Sequence, residues 1–558
     1  MNLKSISLAV ALLSCATVHG LELPPLSPVE GTDVMGYVHD GTKGVPGVLV
    51  SDGYGFARTD ENGAYHLASD PAALTVFAII PSGYECRDVK DGVATFFAPI
   101  NRGEDVFRAD FALNPIGDDD SFSFLVHADT QPDTYFNPQT YNDMSRAYKE
   151  MAQQSAAIAA SEGFMPFNLH LGDIVYNNDS GRGYKEYFNS LVSAGYNVPT
   201  FATPGNHDRL YIIDYEKALE LYREAWGPER YSFNRGKVHF ISLDNVDIKK
   251  EDAFSRGIRP EALEWLKKDL SYVEKGSRVV FFTHRPMTQN EAAIKAYSGA
   301  LDVLKDYDVL ILSGHTHMSF TNFEQYAPTI EERNQICLGG FTWRGPCTRD
   351  GVPQGYYIYH VDGTEISWKF KWTGKDADKN LFRVYEPGQF GTPVFAPEED
   401  KTVIANVWDW DEHWSVTWSL DGVEQGEVPR YEEYRDPWAV YNYDGYPEYP
   451  DWSPLPTYHI FHCDVPASGS VVKINVTDRF GREASKTLTL PSDPSGSIEA
   501  IAPETCGVLT AEIYNMQGTM VLTIDGYPEA DTLPLERGCY IMRLRHTDGT
   551  VTTEKTVI

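Results

Sequence analysis

Thr203-Pro204-Gly205-Asn206-His207-Asp208 follows the apolar run Asn197-Val198-Pro199-Thr200-Phe201-Ala202. The run reads as a short buried strand, and Pro-Gly as the turn that ends it. An amide, an imidazole and a carboxylate then stand side by side past the carboxyl end of a strand, where open α/β sheets place their ligands. Four residues of a polar turn carry no chemistry by themselves, so partners at comparable positions decide the matter. Four other stretches supply them. Asp129-Thr130-Gln131 follows the run 122–128, and Gly172-Asp173 follows 167–171. Thr283-His284 follows 279–282, and Gly314-His315-Thr316-His317 follows 309–312.

Each of these stretches alone has a bland reading: a strand-end Asp caps, Asn beside Gly makes turns, and a lone His is usually structural. Five in this order, each just past a strand, point to a metal site. His127 and His170 lie inside their strands and read as structural groups. Helical patterns at 139–161, 214–225, 260–274 and 291–306 alternate with strands, including 238–243. That alternation predicts βαβ units and a largely parallel or mixed sheet covered by helices.

As a set, D-x-Q, G-D, G-N-H-D, H and G-H-x-H resemble the pattern of the calcineurin-like metallophosphoesterase family over residues 121–345. The resemblance implies a four-layer α/β/β/α sandwich flanked by all-β sandwich domains, and two divalent metal ions bridged by Asp173. Asp129, Gln131 and His317 would hold the first ion, and Asn206, His284 and His315 the second. His207 would donate to the phosphoryl or leaving-group oxygen, with Asp208 fixing its tautomer. The implied reaction is hydrolysis of a phosphate ester by a metal-bridging hydroxide, and a phosphodiesterase and a phosphomonoesterase share this site. The chemistry independently calls for this mixture, because two like charges need a shared carboxylate, and neutral imidazoles and amides preserve the metals' Lewis acidity.

Where many family members have His, this chain has Gln131. An amide oxygen is a harder donor than an imidazole nitrogen, which favours Mn²⁺ or Fe²⁺ at the first position, with Zn²⁺ or Mg²⁺ as alternatives. Arg285, Asn177, Arg209 and Arg344 (after Trp343) are candidates for substrate contact. The competing reading of each arginine is a pairing with one of the chain's many acids.

Around this core the sequence predicts β-rich modules. Residues 29–115 carry the pattern G-V-P-G-V-L-V-S-D-G … T-D-E-N-G-A-Y, which resembles a transthyretin-like or carboxypeptidase-regulatory β-sandwich. Residues 346–490 read as a C-terminal β domain, where Trp408, Trp410, Trp414 and Trp418 suggest aromatic packing rather than carbohydrate stacking. Residues 498–558 follow a Ser/Pro/Gly linker and resemble a sorting domain of type IX secretion cargo, making that machinery an expected partner. Cys337 with Cys347 and Cys506 with Cys539 are candidate disulfides, buried free thiols being the alternative.

At 42% hydrophobic and 23% charged, the 558-residue chain is globular, and too long for one core. A net charge of −33 argues against gripping a nucleic-acid backbone. Residues 1–20 have an early Lys4, an apolar segment and small residues after it, the pattern of a secretory signal. Leu12-Leu13-Ser14-Cys15 also resembles a lipobox, so simple cleavage and a lipid anchor at Cys15 both stand, and no stretch suits a transmembrane span. Both point to the periplasm, cell surface or medium. A binding protein with a vestigial metal site is the rival class, and it predicts missing ligands. Every ligand position is filled.

Overall fold

The computed structural model describes residues 23–557 apart from 133–139, 177–180, 250–251, 341–342, 344, 388–401, 444–452, 466–469, 491–507, 516–519, 526–538 and 547–550. The signal-like residues 1–20, Asn177, Arg344 and Cys506 lie outside the described residues.

The centre of the chain is built from β1 (Ser121–His127), α1 (Thr140–Glu162), β2 (Phe167–His170), α2 (Arg182–Ala194) and β3 (Thr200–Ala202). It continues through β4 (Arg230–Arg235), β5 (Val238–Leu243), α3 (Pro260–Leu270), β6 (Arg278–Phe282), α4 (Glu291–Leu304) and β7 (Asp308–Ser313). It ends with β8 (Phe320–Phe323), β9 (Ile330–Asn334) and the hairpin β10 (Gly355–Asp362) and β11 (Glu365–Trp372). The helical pattern at 214–225 resolves into two short helices, Tyr215–Ala218 and Glu220–Trp226.

Two sheets result. The first runs β11-β10-β1-β2-β3 and continues into the short strands Val93–Ala94 and Val89–Lys90. The second runs β4-β5-β6-β7-β9-β8. Strands β1, β2 and β3 are mutually parallel, as are β5, β6, β7 and β9, so each sheet presents a row of carboxyl ends.

Strand periodicity explains how the sheets stack. Phe122, Phe124 and Val126 of β1, Phe167 of β2 and Phe201 of β3 point inward, where they meet Phe233 of β4 and Phe240 of β5. Phe201 stacks on Phe233 at 4.1 Å between ring centroids, and Phe124 meets Phe240 edge-on at 5.5 Å. The opposite face of β1 and β2 carries Leu125, His127, Asn168 and His170. Leu125 packs with Met144, Ala147, Tyr148 and Met151, one helical stripe of α1, together with Leu191 of α2. Trp265 and Leu266 of α3 and Tyr297 and Leu301 of α4 cover the outer face of the second sheet. The expected four layers are therefore present.

The flanking β regions are fused to this core. Strand Val93–Ala94 pairs with β3 (Thr200 opposite Val93), so part of the region 29–115 extends the first catalytic sheet. Trp265 donates from Nε1 to Ser51 Oγ at 3.1 Å and meets Phe77 edge-on. The hairpin β10–β11 falls beyond the boundary read at residue 345, yet β10 pairs with β1 over six residues. Downstream, strands 382–385, 402–407 and 460–464 form one antiparallel sheet, and 415–420, 423–427, 471–477 and 483–489 another. Both sheets share an apolar core that includes Val403, Val416 and Ile474. Trp408 packs edge-on against Trp372 of β11 at 5.5 Å, so this tryptophan seals a joint between modules.

Cys337 and Cys347 are separate buried thiols, which corrects the first candidate disulfide. Residues 491–558 form a second unit in which strands 520–525, 508–515, 539–546 and 551–557 make an antiparallel sheet in that order.

Phe233 sits at the centre of the aromatic seam, against Phe167, Phe201 and Phe240. Phe233→Ala should cost about 3–5 kcal/mol. A clear drop in the urea midpoint of the catalytic core checks this, and an unchanged midpoint would place the joining force elsewhere.

Candidate metal centre

The aromatic seam brings the two rows of carboxyl strand ends together, and all five stretches singled out from the sequence lie along that line. Asp129 and Gln131 follow β1, Asp173 follows β2, and Asn206, His207 and Asp208 follow β3. His284 follows β6, and His315 and His317 follow β7.

The backbone pays a conformational cost to present these groups. Asp129, Gln131, Asp173, His315 and His317 have φ of 49°, 37°, 52°, 72° and 58°. They are half of the ten non-glycine residues with positive φ among the described residues, a conformation that non-glycine residues adopt only when the surroundings impose it. The neighbouring glycines are equally constrained. A Cβ on Gly205 would fall 2.1 Å from Asp173 Oδ1, and one on Gly314 would fall 2.6 Å from Asp129 Oδ2.

Two groups of donors form. One carboxylate oxygen of Asp129, one ring nitrogen of His317 and Sγ of Cys337 lie within 4.8 Å of one another, and equivalent atoms of Asp173, His284 and His315 do the same. Asp173 joins the two. Its Oδ2 accepts from Gln131 Nε2 at 2.9 Å, on the Asp129 side. Its Oδ1 lies 3.3 Å from His284 Nε2 and accepts from the His207 backbone N–H at 2.8 Å. His284 Nε2 also lies 3.1 Å from both Asn206 Oδ1 and His315 Nδ1. The other nitrogen, Nδ1, donates its N–H to the Leu171 carbonyl at 2.9 Å, which leaves the Nε2 lone pair facing inward for a metal.

These residues fit two cations. Gln131 Oε1 is buried and lacks a hydrogen-bond partner among the described residues, and the buried Asp129 Oδ1 has only the His317 ring nitrogen, 3.3 Å away. Because Gln131 spends its amide nitrogen on Asp173, its oxygen remains as the hard donor the sequence anticipated. On the second side, Asp173 Oδ1, Asn206 Oδ1 and His315 Nδ1 converge on His284 Nε2, which in the neutral ring itself carries a lone pair because the ring's proton is on Nδ1.

The electrostatics agree. Burial alone would raise the Asp173 carboxyl, but the imidazoles of His284, His207 and His315 outweigh it and hold it well below the usual range. Burial opposes charge on His284, and the Asp173 and Asp129 carboxylates outweigh that too, raising it to about 9. His315 is pushed down by burial, then by His284 and by the positive charge of Arg285. Supporting polar groups were only partly legible. His170 Nε2 is 2.7 Å from Thr130 Oγ1, between the two expected ligands of its loop. His127, driven down to about 3 by burial, bridges Asn168 and the Tyr148 hydroxyl.

Two sequence assignments need correction. His207 donates from Nδ1 to the Tyr176 carbonyl at 2.6 Å, so that carbonyl fixes the tautomer. The Tyr176 ring stacks on the imidazole at 5.4 Å. Asp208 instead accepts from the backbone N–H groups of Gly205, Ile174 and Val175, tying the loops after β2 and β3 together. Burial and the nearby Asp173 carboxylate raise Asp208 to about 6, while the N–H donors of Gly205 and Val175 hold it down.

Arg209 is buried and paired with Asp244, with Nε donating to the Gly205 carbonyl at 3.2 Å, so it braces the loop and is withdrawn from substrate. Arg285 directly follows the expected ligand His284. Asn245, which the sequence did not single out, grips both its backbone N–H (3.0 Å) and its carbonyl (2.7 Å).

Models of the calcineurin-like phosphoesterase match residues 122–319 (the catalytic domain), 32–116 (its N-terminal region) and 334–483 (its C-terminal region). The chain belongs to the calcineurin-like phosphoesterase family, whose members hydrolyse phosphoric esters. No curated relative matches it. Among solved structures it is similar to a purple acid phosphatase from yellow lupin seeds, at 11% identity over 57% of each chain with a TM-score of 0.34. It is also similar to PhoD, at 11% identity over 80% of this chain and 86% of that one (TM-score 0.31). A 5'-nucleotidase from Candida albicans matches at 13% identity over 47% and 53% (TM-score 0.30). The chain thus spans little more than half the length of the lupin protein.

Arg209→Met leaves Asp244 buried without its cation, at a cost of about 3–5 kcal/mol. The expected result is a lowered unfolding midpoint with KM for a phosphate ester nearly unchanged; a raised KM at full stability would return Arg209 to the substrate. A second expectation concerns pH. His284 lies above its ordinary 6.5, so the metal-free chain holds that stabilisation below pH 6.5 and loses it as pH rises through about 9. An ion must displace the same proton, so divalent-metal affinity should strengthen from pH 6.5 towards 9, by calorimetric titration.

Proposed function

We propose that this protein is an exported, metal-dependent phosphoesterase that hydrolyses phosphate esters, diesters in preference to monoesters, at a dinuclear centre. The observation that carries the reading is the Asp173 carboxylate, with one oxygen on the Gln131 side and the other on the His284 side. Asp129, Gln131, Asp173, Asn206, His284, His315 and His317 would hold two divalent ions, which when bound would lend Lewis acidity to the phosphoryl group and lower the pKa of water. Gln131 and Asp129 favour Mn²⁺ or Fe²⁺ as hard oxygen donors.

The chain's own residues supply positioning and a proton. With Nδ1–H committed to the Tyr176 carbonyl, it is the doubly protonated imidazolium of His207 that carries a second proton, on Nε2, to give to the departing ester oxygen. Its backbone N–H on Asp173 Oδ1 ties that imidazole to the bridging carboxylate. Arg285, next to His284 in the chain and with its backbone held by Asn245, would meet a non-bridging phosphoryl oxygen. These local cations matter in a chain of net charge −33, which repels a phosphate from afar.

The diester preference follows from cation supply. A monoester presents a terminal dianion, and Arg209, one of the cations expected to meet it, is spent on Asp244. Four to six residues after His207 in the chain, Tyr211, Ile212 and Ile213 are exposed by 55%, 37% and 65%, an apolar stretch that would suit an ester substituent more than a second charge.

Export is supported by the sequence pattern of residues 1–20, with cleavage or lipidation at Cys15 as the two routes, and type IX sorting by residues 498–558. The mass of the mature N-terminus from cell envelopes or culture medium distinguishes the routes.

With added Mn²⁺ or Fe²⁺, bis-p-nitrophenyl phosphate should be hydrolysed faster than p-nitrophenyl phosphate. The reverse order identifies a monoesterase, and inactivity on both with metal bound favours a binding protein. His207→Ala should lower kcat by about 10²–10⁴ for an alkyl ester, whose leaving group needs a proton. It should lower kcat much less for a nitrophenyl ester, whose leaving group departs as a stable anion.

A further inference from the structure

We propose that Cys337 is a ligand of the first metal ion, supplying a thiolate beside Asp129, Gln131 and His317. The inference rests on the dinuclear reading above and extends it to a residue that neither the sequence pattern nor the family assignment includes.

The topology places Cys337 where the other ligands are. It follows β9, which lies parallel to β7 with Ser313 opposite Asn334. It therefore stands past a carboxyl strand end, as His315 and His317 do one strand away. From there the chain crosses to the other sheet. Gln335 donates its backbone N–H to the Ser313 carbonyl at 2.7 Å, and Leu338 donates to the Ala128 carbonyl at 3.0 Å. Cys337 itself forms a parallel bridge with Ala128, next to Asp129. Backbone hydrogen bonds on both sides thus hold the residue at the seam.

The side-chain chemistry points the same way. Sγ of Cys337 lies within 4.8 Å of both the Asp129 carboxylate oxygen and the His317 ring nitrogen that complete its group. With metal–sulfur bonds of about 2.3 Å and metal–nitrogen or metal–oxygen bonds of about 2.0–2.2 Å, donors around one ion stand roughly 3–4.5 Å apart. Closing the group requires only small movements. An independent observation marks the space between these residues as a cation's. Asp129 and Gln131 are 1% and 2% exposed; Gln131 Oε1 has no hydrogen-bond partner among the described residues, and Asp129 Oδ1 has only the His317 ring nitrogen, 3.3 Å away.

On binding, a sulfur–metal bond forms, the thiol S–H bond breaks, and the proton leaves to solvent. A thiolate adds negative charge and softness to a group whose other distinctive member, Gln131, is a hard neutral oxygen. Of the two ions Gln131 favours, Fe²⁺ gains more from sulfur than Mn²⁺, so the first position should select Fe²⁺.

Cobalt substitution tests this without an activity assay. The metal-free chain is loaded with Co²⁺, bound metal is counted, and the near-ultraviolet spectrum is scanned for thiolate-to-cobalt charge transfer. The expected result is two cobalt ions per chain with a band that Cys337→Ser abolishes and Cys347→Ser keeps. Two bound cobalt ions without the band, or a band that survives Cys337→Ser, would overturn the thiolate ligand and leave the dinuclear centre standing. Failure to bind cobalt at all would overturn the centre, and this inference with it. The unsubstituted chain's spectrum decides the question even if Cys337→Ser does not fold. In competition, the expected order is Fe²⁺ above Mn²⁺, with that margin shrinking at least several-fold in a folded Cys337→Ser chain.

Discussion

Everything in the site depends on holding donors for two like-charged ions within a few ångströms, at a seam between two sheets. No single strand end can do this. Asp173 meets the constraint because its oxygens address different groups, and because its loop is clamped from below. The Asp208 carboxylate binds N–H groups on both the β2 and β3 loops, and Arg209 returns from the same segment to the Gly205 carbonyl. Gly205 must lack a Cβ for those loops to approach so closely. The polar residues that surround the bridging carboxylate therefore act on its position as much as on its charge.

The aromatic seam beneath determines where the two rows of strand ends meet. Inward phenylalanines from both sheets interlock, so a shift of either sheet would move ligands on one side relative to the other. The β modules add to this rigidity: strand Val93–Ala94 extends the first sheet, and Trp265 anchors the second sheet's helix to Ser51. On the far side the buried Arg333–Asp409 pair and Trp408 join the C-terminal sheets to β9 and β11. The left-handed backbone at five ligand positions is affordable only within such a frame.

Much of the arrangement was legible in the sequence because metal chemistry is selective about residue type. Asp129, Gln131, Asp173, Asn206, His284, His315 and His317 declare themselves by standing past apolar runs, and all converge. What stayed hidden was partnership across the fold. Nothing local distinguishes Arg209, buried against Asp244, from Arg285, whose backbone Asn245 holds; their partners lie 35 and 40 residues away. Asp208 sits beside His207 in the chain but turns towards other loops, so adjacency misassigned its role. Cys337 follows β9 without a flanking motif and reads from sequence only as a disulfide candidate or a buried thiol. The break at residue 345 failed to anticipate β10 because an antiparallel strand returning to β1 leaves no mark of its destination.

The central claim is that two ions share Asp173. Anomalous diffraction from crystals grown with Mn²⁺ or Fe²⁺ tests it most directly. The account predicts two peaks about 3.5–4 Å apart, one on either side of the Asp173 carboxylate. A single peak, or two that do not share Asp173, would contradict it.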